Sequence, residues 1–319
     1  MKIIFWSRLP IARDLAISRL RALSGVELTV QATLADCIAC LSDQEGMVLY
    51  NCQANEAAEL MAAITSRAAR LRWMHFLSAG KEGFDGVFIP GHIQVTQTAG
   101  ASAPCVAEHA MALLLALTRR IPAFLGQQAH RVWDRTRVGA LTSLEGKTLA
   151  IVGYGHIGRE VARRARGFGM HLIALSRSLG GADEVDEVLP LSALLDVLPR
   201  CDVVLLSIAL TPQTRHLMDA AALRRCNVNA LMINVSRGAV FDQEALCAAL
   251  SEGRIAGAAL DVTDPEPPSP TDPIWRCPNL LLSPHVAAAG SPDTDQRIIE
   301  GMVATLQRIR GLTATSSPP

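Results

Sequence analysis

The chain has 319 residues, enough for two domains that each bury a core. Its 30 Lys plus Arg balance its 30 Asp plus Glu, so the formal net charge is zero, which offers no electrostatic basis for a nucleic-acid partner or an anionic membrane surface. Half of the residues are apolar, yet the longest apolar run, around Met111 to Leu117, is much too short to span a bilayer.

The amino terminus, Met1-Lys-Ile-Ile-Phe-Trp6, reads as a strand over Lys2–Trp6. Arg8, Arg13 and Asp14 follow closely, unlike the layout of a signal peptide, so a cytoplasmic location is expected. A helix over 11–23 comes next, then strands over 26–30 and 47–50, a helix over 57–67, and strands over 71–76 and 92–96. This alternation is the rhythm of an open parallel sheet with helices on both faces. A long helix over 103–120 is almost wholly apolar from Ala110 to Leu117, so it should be buried on most sides, in part against a partner subunit.

A second series then begins. Strands are expected over 148–152, 171–175, 203–206, 230–234, 256–261 and 279–283. Helices are expected over 157–167, 192–197 with Ser192 as its cap, from 218 to 222, and over 243–251. Six strands in one stretch make a full doubly wound domain. The last helical pattern, 294–309, has no sheet of its own and should return to the first domain, before a tail from Gly311 that reads as disordered. The expected domains are therefore 1–100 completed by 288–319, and 101–287. Two crossings make a hinge, and a small substrate would sit in the cleft.

Eight cysteines are present. Cys37 and Cys40 form a C-x-x-C pair with no second pair or close Cys/His cluster, so no metal site is expected. Cys52, Cys105, Cys201, Cys226, Cys247 and Cys277 lie among apolar neighbours and read as small core residues of a reducing compartment.

The chemistry is densest where the strand 149–152 runs into Gly153-Tyr154-Gly155-His156-Ile157-Gly158 and a helix. Glycines there permit a tight turn and a close approach to a pyrophosphate, and the helix start offers free N–H groups. Eighteen residues beyond Gly158, Ser176-Arg177 stand where an acid would take the ribose hydroxyls. An acid would repel a 2′-phosphate, whereas serine can donate to it and arginine can clamp it. NADP is therefore expected, with NAD possible.

Three further residues follow strand ends of the same domain. His285 can exchange a proton near neutral pH. Glu266 beside it would fix the ring's tautomer and keep a proton ready for a developing alkoxide. Arg237 can bind a carboxylate and polarise the adjoining ketone. His109 reads as a structural or interface histidine. His75 and Lys81, next to Ser78-Ala79-Gly80, are open between substrate contact and no role, and His156 between phosphate contact and plain exposure.

With these residues in view, the chain resembles the D-isomer-specific 2-hydroxyacid dehydrogenases over nearly its whole length. The resemblance rests on the Gly153–Gly158 loop, Asn234-Val-Ser-Arg-Gly238, Ala259-Leu-Asp-Val262 with Glu266, Ser283-Pro-His285, Ser78-Ala79-Gly80 and Val106-Ala-Glu-His109. It implies an α/β protein of two doubly wound parallel-sheet domains, a flavodoxin-like substrate domain and a Rossmann cofactor domain, joined by a two-crossing hinge. It implies Arg237 as substrate binder and electrophile, Glu266 as partner of the acid/base and His285 as proton donor. Ser78, Ala79 and Gly80 would hold the substrate carboxylate. Gly153 to Gly158, Ser176, Arg177, Ser236 and Asp261 would attend the cofactor, with Asp261 also supporting the site. Family members are typically homodimers.

The implied reaction is reduction of a small 2-keto acid, glyoxylate- or hydroxypyruvate-like or larger, by NADPH. The chain departs from the family at Ala287 and Ala288 in His285-Val-Ala-Ala-Ala-Gly290, at Gln97-Thr-Ala-Gly100 and at Ala209, which leaves the substrate's size open. An NAD-dependent enzyme of the same class is the alternative. So is a dinucleotide-binding regulatory protein with little turnover, since the resemblance includes a transcriptional corepressor.

Overall fold

A computed structural model of the chain describes residues 1–7, 12–78, 80–177, 184–289 and 291–315. The chain divides into two compact units, Met1–Ser102 with Gly290–Pro319, and Ala103–Ala289. Ala79, the beginning of the first expected helix and the last residues of the tail lie outside the described residues.

The first unit is a five-stranded parallel sheet. Its strands are β1 (Lys2–Trp6), β2 (Glu27–Gln31), β3 (Gly46–Leu49), β4 (Trp73–Phe76) and β5 (Gln94–Gln97), in the order β2-β1-β3-β4-β5. The helices are α1 (Arg13–Arg21), α2 (Leu34–Ala39), α3 (Ala54–Arg67) and, from the end of the chain, α10 (Pro292–Thr315). Alternation along β1 decides which side each residue serves. Ile4 and Trp6 pack with Leu60, Ile64 and Phe76 on one face, and Ile3 and Phe5 pack with Leu20, Trp73, Ile299, Met302, Leu306 and Ile309 on the other. The four residues from α10 recur at helical spacing, which is the stripe that brings this helix back onto the first sheet.

One close approach fixes α10 there. A Cβ on Gly301 would lie 2.3 Å from Thr98 Cγ2, so only glycine lets the helix sit on the segment after β5. Thr98 Oγ1 then donates to Ile298 O at 3.1 Å. His75 lies beneath this contact, fully buried, with Nδ1 2.9 Å from Thr96 Oγ1 and Nε2 3.2 Å from Thr98 Oγ1. Burial lowers its pKa to about 4. It is a core histidine held by two threonine hydroxyls.

The second unit is a seven-stranded parallel sheet, ordered β12-β11-β10-β9-β6-β7-β8. The strands are β6 (Thr148–Val152), β7 (His171–Leu175), β8 (Glu187–Leu189), β9 (Val203–Leu206), β10 (Leu231–Asn234), β11 (Gly257–Leu260) and β12 (Leu280–Leu282). The helices are α4 (Ala103–Thr118), α5 (Ile121–Ala129), α6 (His156–Arg166), α7 (Leu194–Val197), α8 (Ala220–Arg225) and α9 (Gln243–Ser251). The inner strands are continuous apolar runs because helices cover both of their faces. Ala107 and Ala110 of α4 share a buried cluster with Val161, Ala162 and Ala165 of α6. Enlarging one of these alanines would overpack the cluster at a cost of about 1–3 kcal/mol. Among the described residues no helix is long and apolar enough to cross a membrane.

Several boundaries differ from the sequence expectation. Ser192 caps nothing, because it lies inside a 3₁₀ turn over Leu191–Ala193, and α7 starts only at Leu194. Met218 is a bridge partner of Phe241, and α8 starts after Asp219, whose carboxylate accepts from Ala222 N. The terminal helix continues through Thr315 rather than fraying at Gly311; no proline interrupts it before Pro318. Helix α5 was not expected at all. None of its residues is buried, so it carries no burial period to read.

Candidate functional site

Every residue assigned above to the nucleotide or to acid–base chemistry follows the C-terminal end of a strand in the second sheet. The chain leaves the β6–β9 pair in opposite directions. That pair is the switch point beyond whose C-terminal ends ligands sit in such sheets.

The three glycines after β6 do different things. Gly153 has φ +97°, and a Cβ there would lie 2.8 Å from the backbone of Ser207 and Ile208. Ser207 Oγ donates to Gly153 O at 2.7 Å, tying the turn to the end of β9. A Cβ on Gly158 would come within 2.3 Å of Gly153 O, so that glycine lets α6 pack against the turn. Gly155 has nothing within 4 Å of its Cβ position. It stands at the cap of α6 with no side-chain cap bond, so the first N–H groups of the helix are left for an anion. The loop fits a dinucleotide pyrophosphate.

The side chains of the loop divide. His156 is exposed at the head of α6, and Ile157 is half-buried against the core. Tyr154 is buried, its ring under the Arg159 guanidinium at 4.7 Å and its hydroxyl 3.3 Å from Glu184 Oε2. Beside this turn, Ser176 N donates to Leu189 O at 3.0 Å, Ser176 is half-buried and Arg177 is exposed.

Beyond β10, the fully buried Asn234 shapes the arginine loop. Its Oδ1 accepts from Ser236 N at 3.0 Å and Ser236 Oγ at 2.7 Å, and its Nδ2 donates to Arg237 O at 3.0 Å. Ser236 Oγ is thus held against the buried Asn234. The half-buried Arg237 donates from Nη1 to Ser236 O. A Cβ on Gly238 would lie 2.0 Å from Thr263 C, so this glycine allows the arginine loop to rest directly on the loop that carries Glu266.

Glu266 in turn meets His285. His285 Nδ1 and Glu266 Oε1 are 2.6 Å apart, and both side chains are roughly two-fifths exposed. A carboxylate only accepts, so Nδ1 carries a hydrogen and Nε2 is the atom left to exchange a proton. His285 has φ +52°, a left-handed conformation that a side-chain-bearing residue holds only when its surroundings over-determine it. They do so through Asp261. His285 N donates to Asp261 O at 2.8 Å. The Asp261 carboxylate accepts from Ser283 Oγ at 2.6 Å, Val286 N at 3.0 Å and Ala287 N at 2.9 Å. Asp261 is therefore a support of the histidine loop.

The strand ends thus bring together the loops of Arg237, Glu266 and His285. Sequence reasoning missed how they are held: Asn234, Ser283 and Ser207 are short polar residues at strand ends, a signal that could have found them. In the first unit, Ser78 and Gly80 follow β4. Ser78 Oγ accepts from Asn51 N at 3.0 Å and donates to Gly80 O at 2.7 Å, so its hydroxyl braces the loop, while Lys81 is exposed.

A family model described as D-isomer specific 2-hydroxyacid dehydrogenase, NAD binding domain, matches residues 111–287. The glyoxylate reductase of Korarchaeum cryptofilum is 40% identical over 218 residues, covering 66% of this chain and 64% of that protein. The D-3-phosphoglycerate dehydrogenase of Methanocaldococcus jannaschii is 31% identical over 284 residues, 88% of this chain and 52% of that protein. The chain spans about half to two thirds of the length of these two relatives. A D-isomer specific 2-hydroxyacid dehydrogenase family protein from Aeromonas salmonicida subsp. salmonicida shares the fold with a TM-score of 0.83 at 26% identity, covering 98% of this chain and 96% of that one.

Proposed function

The chain belongs to the D-isomer-specific 2-hydroxyacid dehydrogenase family, and from that membership we propose that it reduces a small 2-keto acid to the D-2-hydroxy acid with NADPH. The observation that carries the reading is the 2.6 Å contact between His285 Nδ1 and Glu266 Oε1 at the C-terminal edge of the sheet that bears the glycine loop. When bound, the nicotinamide supplies the hydride for the keto carbon. His285 Nε2 delivers a proton to the keto oxygen, and Glu266 holds the ring with that nitrogen outward. Arg237 binds the substrate carboxylate and polarises the ketone. On the resemblance alone, the backbone of Ala79 and Gly80 is assigned to the same carboxylate.

For the cofactor, Gly153, Gly155 and Gly158 would admit the pyrophosphate to the head of α6. Ser176 and Arg177 would take the 2′-phosphate, because a serine and an arginine, rather than an acid, directly follow β7. The substrate is a glyoxylate- or hydroxypyruvate-like acid or a larger 2-keto acid.

The test is NADPH oxidation with glyoxylate, hydroxypyruvate and phenylpyruvate, comparing wild type with His285→Ala. A positioned acid/base is worth about 10²–10⁴-fold, so the variant should fall by that order. Equal rates in the two proteins would remove His285 from the proton-donor role. Tight NADPH binding with no turnover of any keto acid would point to a regulatory protein.

We also infer a homodimer. Helix α5 buries none of its residues, Leu125 is 60% exposed and Trp133, just beyond it, is 92% exposed. With Ile121 and Phe124 also open, these exposed apolar side chains are of the kind that marks an interface. Sedimentation equilibrium should give twice the chain mass, and Leu125→Asp should shift it toward the monomer.

A further inference from the structure

Two thiols outside the proposed site face each other. Cys247 lies in the middle of α9, and Cys277 ends the 3₁₀ turn over Pro273–Arg276, just before β12. Their sulfurs are 2.7 Å apart, near enough that only a short closure separates them from a covalent bond of about 2.05 Å. Both are half-buried at the rim of the core cluster between α8, α9 and the sheet. They differ from the structural thiols nearby. Cys201 and Cys226 are buried, and each donates to the carbonyl four residues back, Val197 O and Ala222 O.

We propose that Cys247 and Cys277 are a dithiol pair that a low-molecular-weight disulfide converts reversibly to an intramolecular disulfide. The balance is simple. The two cysteines lose two hydrogens and gain one S–S bond, while the external disulfide is reduced to two thiols. The order of attack follows from the surroundings. Burial, with the Cys277 contact and the Asp272 charge acting the same way, pushes the Cys247 thiol up to about 12, so it is a poor first nucleophile. Cys277 makes its other contact, to Pro273 O at 3.7 Å, on the exposed side. Cys277 thiolate therefore attacks the external disulfide and releases one thiol. Cys247 sulfur then attacks the Cys277 sulfur of the mixed disulfide and releases the second.

The staple would close the segment that holds β11, Asp261 and Glu266, and it would fasten α9 to the turn that leads into β12. The thiols contribute nothing to the reduction proposed above, so the pair stands or falls independently of that reading. In a reducing compartment such a bond is transient, formed under oxidation and reversed after it.

The whole protein is incubated with oxidised glutathione, quenched by alkylation, digested without reductant and mapped by mass spectrometry. The expected product is a Cys247–Cys277 linked peptide, two hydrogens lighter than its parts, that dithiothreitol resolves. Cys247→Ser should leave glutathione on Cys277 with no cross-link, and Cys277→Ser should leave Cys247 unmodified. Recovery of both cysteines alkylated from oxidised wild type would overturn the proposal. So would glutathione persisting on either one in wild type, or a link from either to another cysteine.

Discussion

His109 and Asp261 share the Ser283 hydroxyl as well as a direct contact, His109 Nε2 lying 3.4 Å from Asp261 Oδ1. Ser283 Oγ lies 2.8 Å from His109 Nε2 and 2.6 Å from Asp261 Oδ1. The carboxylate can only accept, so the Ser283 hydrogen goes to Asp261 and Ser283 Oγ accepts from His109 Nε2–H. Helix α4 is thereby wired to the loop that holds His285 in its left-handed conformation. Ser283→Ala removes the hydroxyl between them, leaving His109 Nε2 only the 3.4 Å contact with Asp261 Oδ1 and the carboxylate only its backbone donors Val286 N and Ala287 N, at a cost of about 1–3 kcal/mol. Urea denaturation should show that loss. The rate of keto-acid reduction should fall with it while NADPH affinity changes little, since the glycine loop hangs from another strand. An unchanged denaturation midpoint would mean the bridge carries no load.

The glycine loop gives two opposite expectations from one substitution type. At Gly158 a methyl group would meet the Gly153 carbonyl oxygen at 2.3 Å, which is backbone and cannot step aside. Gly158→Ala should destabilise the fold by about 1–3 kcal/mol, as overpacking does, and weaken NADPH binding through the displaced turn. At Gly155 the methyl group meets nothing of the protein. Gly155→Ala should keep its unfolding midpoint and still bind NADPH less well, because the space it fills is the ligand's. Thermal unfolding beside a fluorescence titration separates the two cases. Unchanged affinity in Gly155→Ala would show that the pyrophosphate does not approach there.

The sequence made the strand ends legible because chemistry-bearing residues follow apolar runs there, and β6 with its glycines needs no tertiary information to recognise. Polarity alone could not tell which way those residues point. Ser236 and Ser176 look alike as polar residues just past strands, yet Ser236 is turned onto the buried Asn234 and Ser176 stays half-buried at the sheet edge. His75 was open for a related reason. Trp73-Met-His-Phe76 is an uninterrupted buried strand, and such a run implies cover on both faces, which would have placed the imidazole in the core. Helix α5 was illegible because none of its residues is buried, so it has no apolar period to read.

His75 sets a pH dependence of stability whose sign is fixed by burial. Thr98 Oγ1 donates to Ile298 O, so it accepts from His75 Nε2–H, and Nδ1 accepts from Thr96 Oγ1, which itself accepts from Trp73 Nε1 at 2.7 Å. The ring is neutral, with a folded-state pKa of about 4 against an ordinary value of 6.5. Between those values the unfolded chain binds the proton and the folded chain does not. Stability from this residue is therefore fully present above pH 6.5 and is lost as pH falls toward 4. The full window is worth roughly 3 kcal/mol, and about 2 kcal/mol is gone by pH 5. Urea midpoints at pH 7 and pH 5 should differ accordingly in wild type, and His75→Gln should flatten the difference while lowering the value at pH 7. An equally steep loss in the variant would assign the slope to other groups.

Arg177 carries the cofactor choice under the proposed reading, and its position makes the choice testable without disturbing the fold. It is exposed, one residue past the half-buried Ser176 at the end of β7, so replacing it removes charge and donors but little packing. A charge-assisted bond to a phosphate is worth about 1.5–3 kcal/mol. Arg177→Ala should accordingly raise the KM for NADPH by roughly tenfold to a hundredfold, leave that for NADH nearly constant, and keep kcat with either cofactor, since the nicotinamide end is untouched. Ser176→Asp should go further, because a carboxylate there repels the 2′-phosphate and accepts from ribose hydroxyls, turning the preference toward NADH. If both variants keep the wild-type ratio of NADPH to NADH efficiency, the end of β7 does not read the 2′-position and the assignment of NADP fails with it.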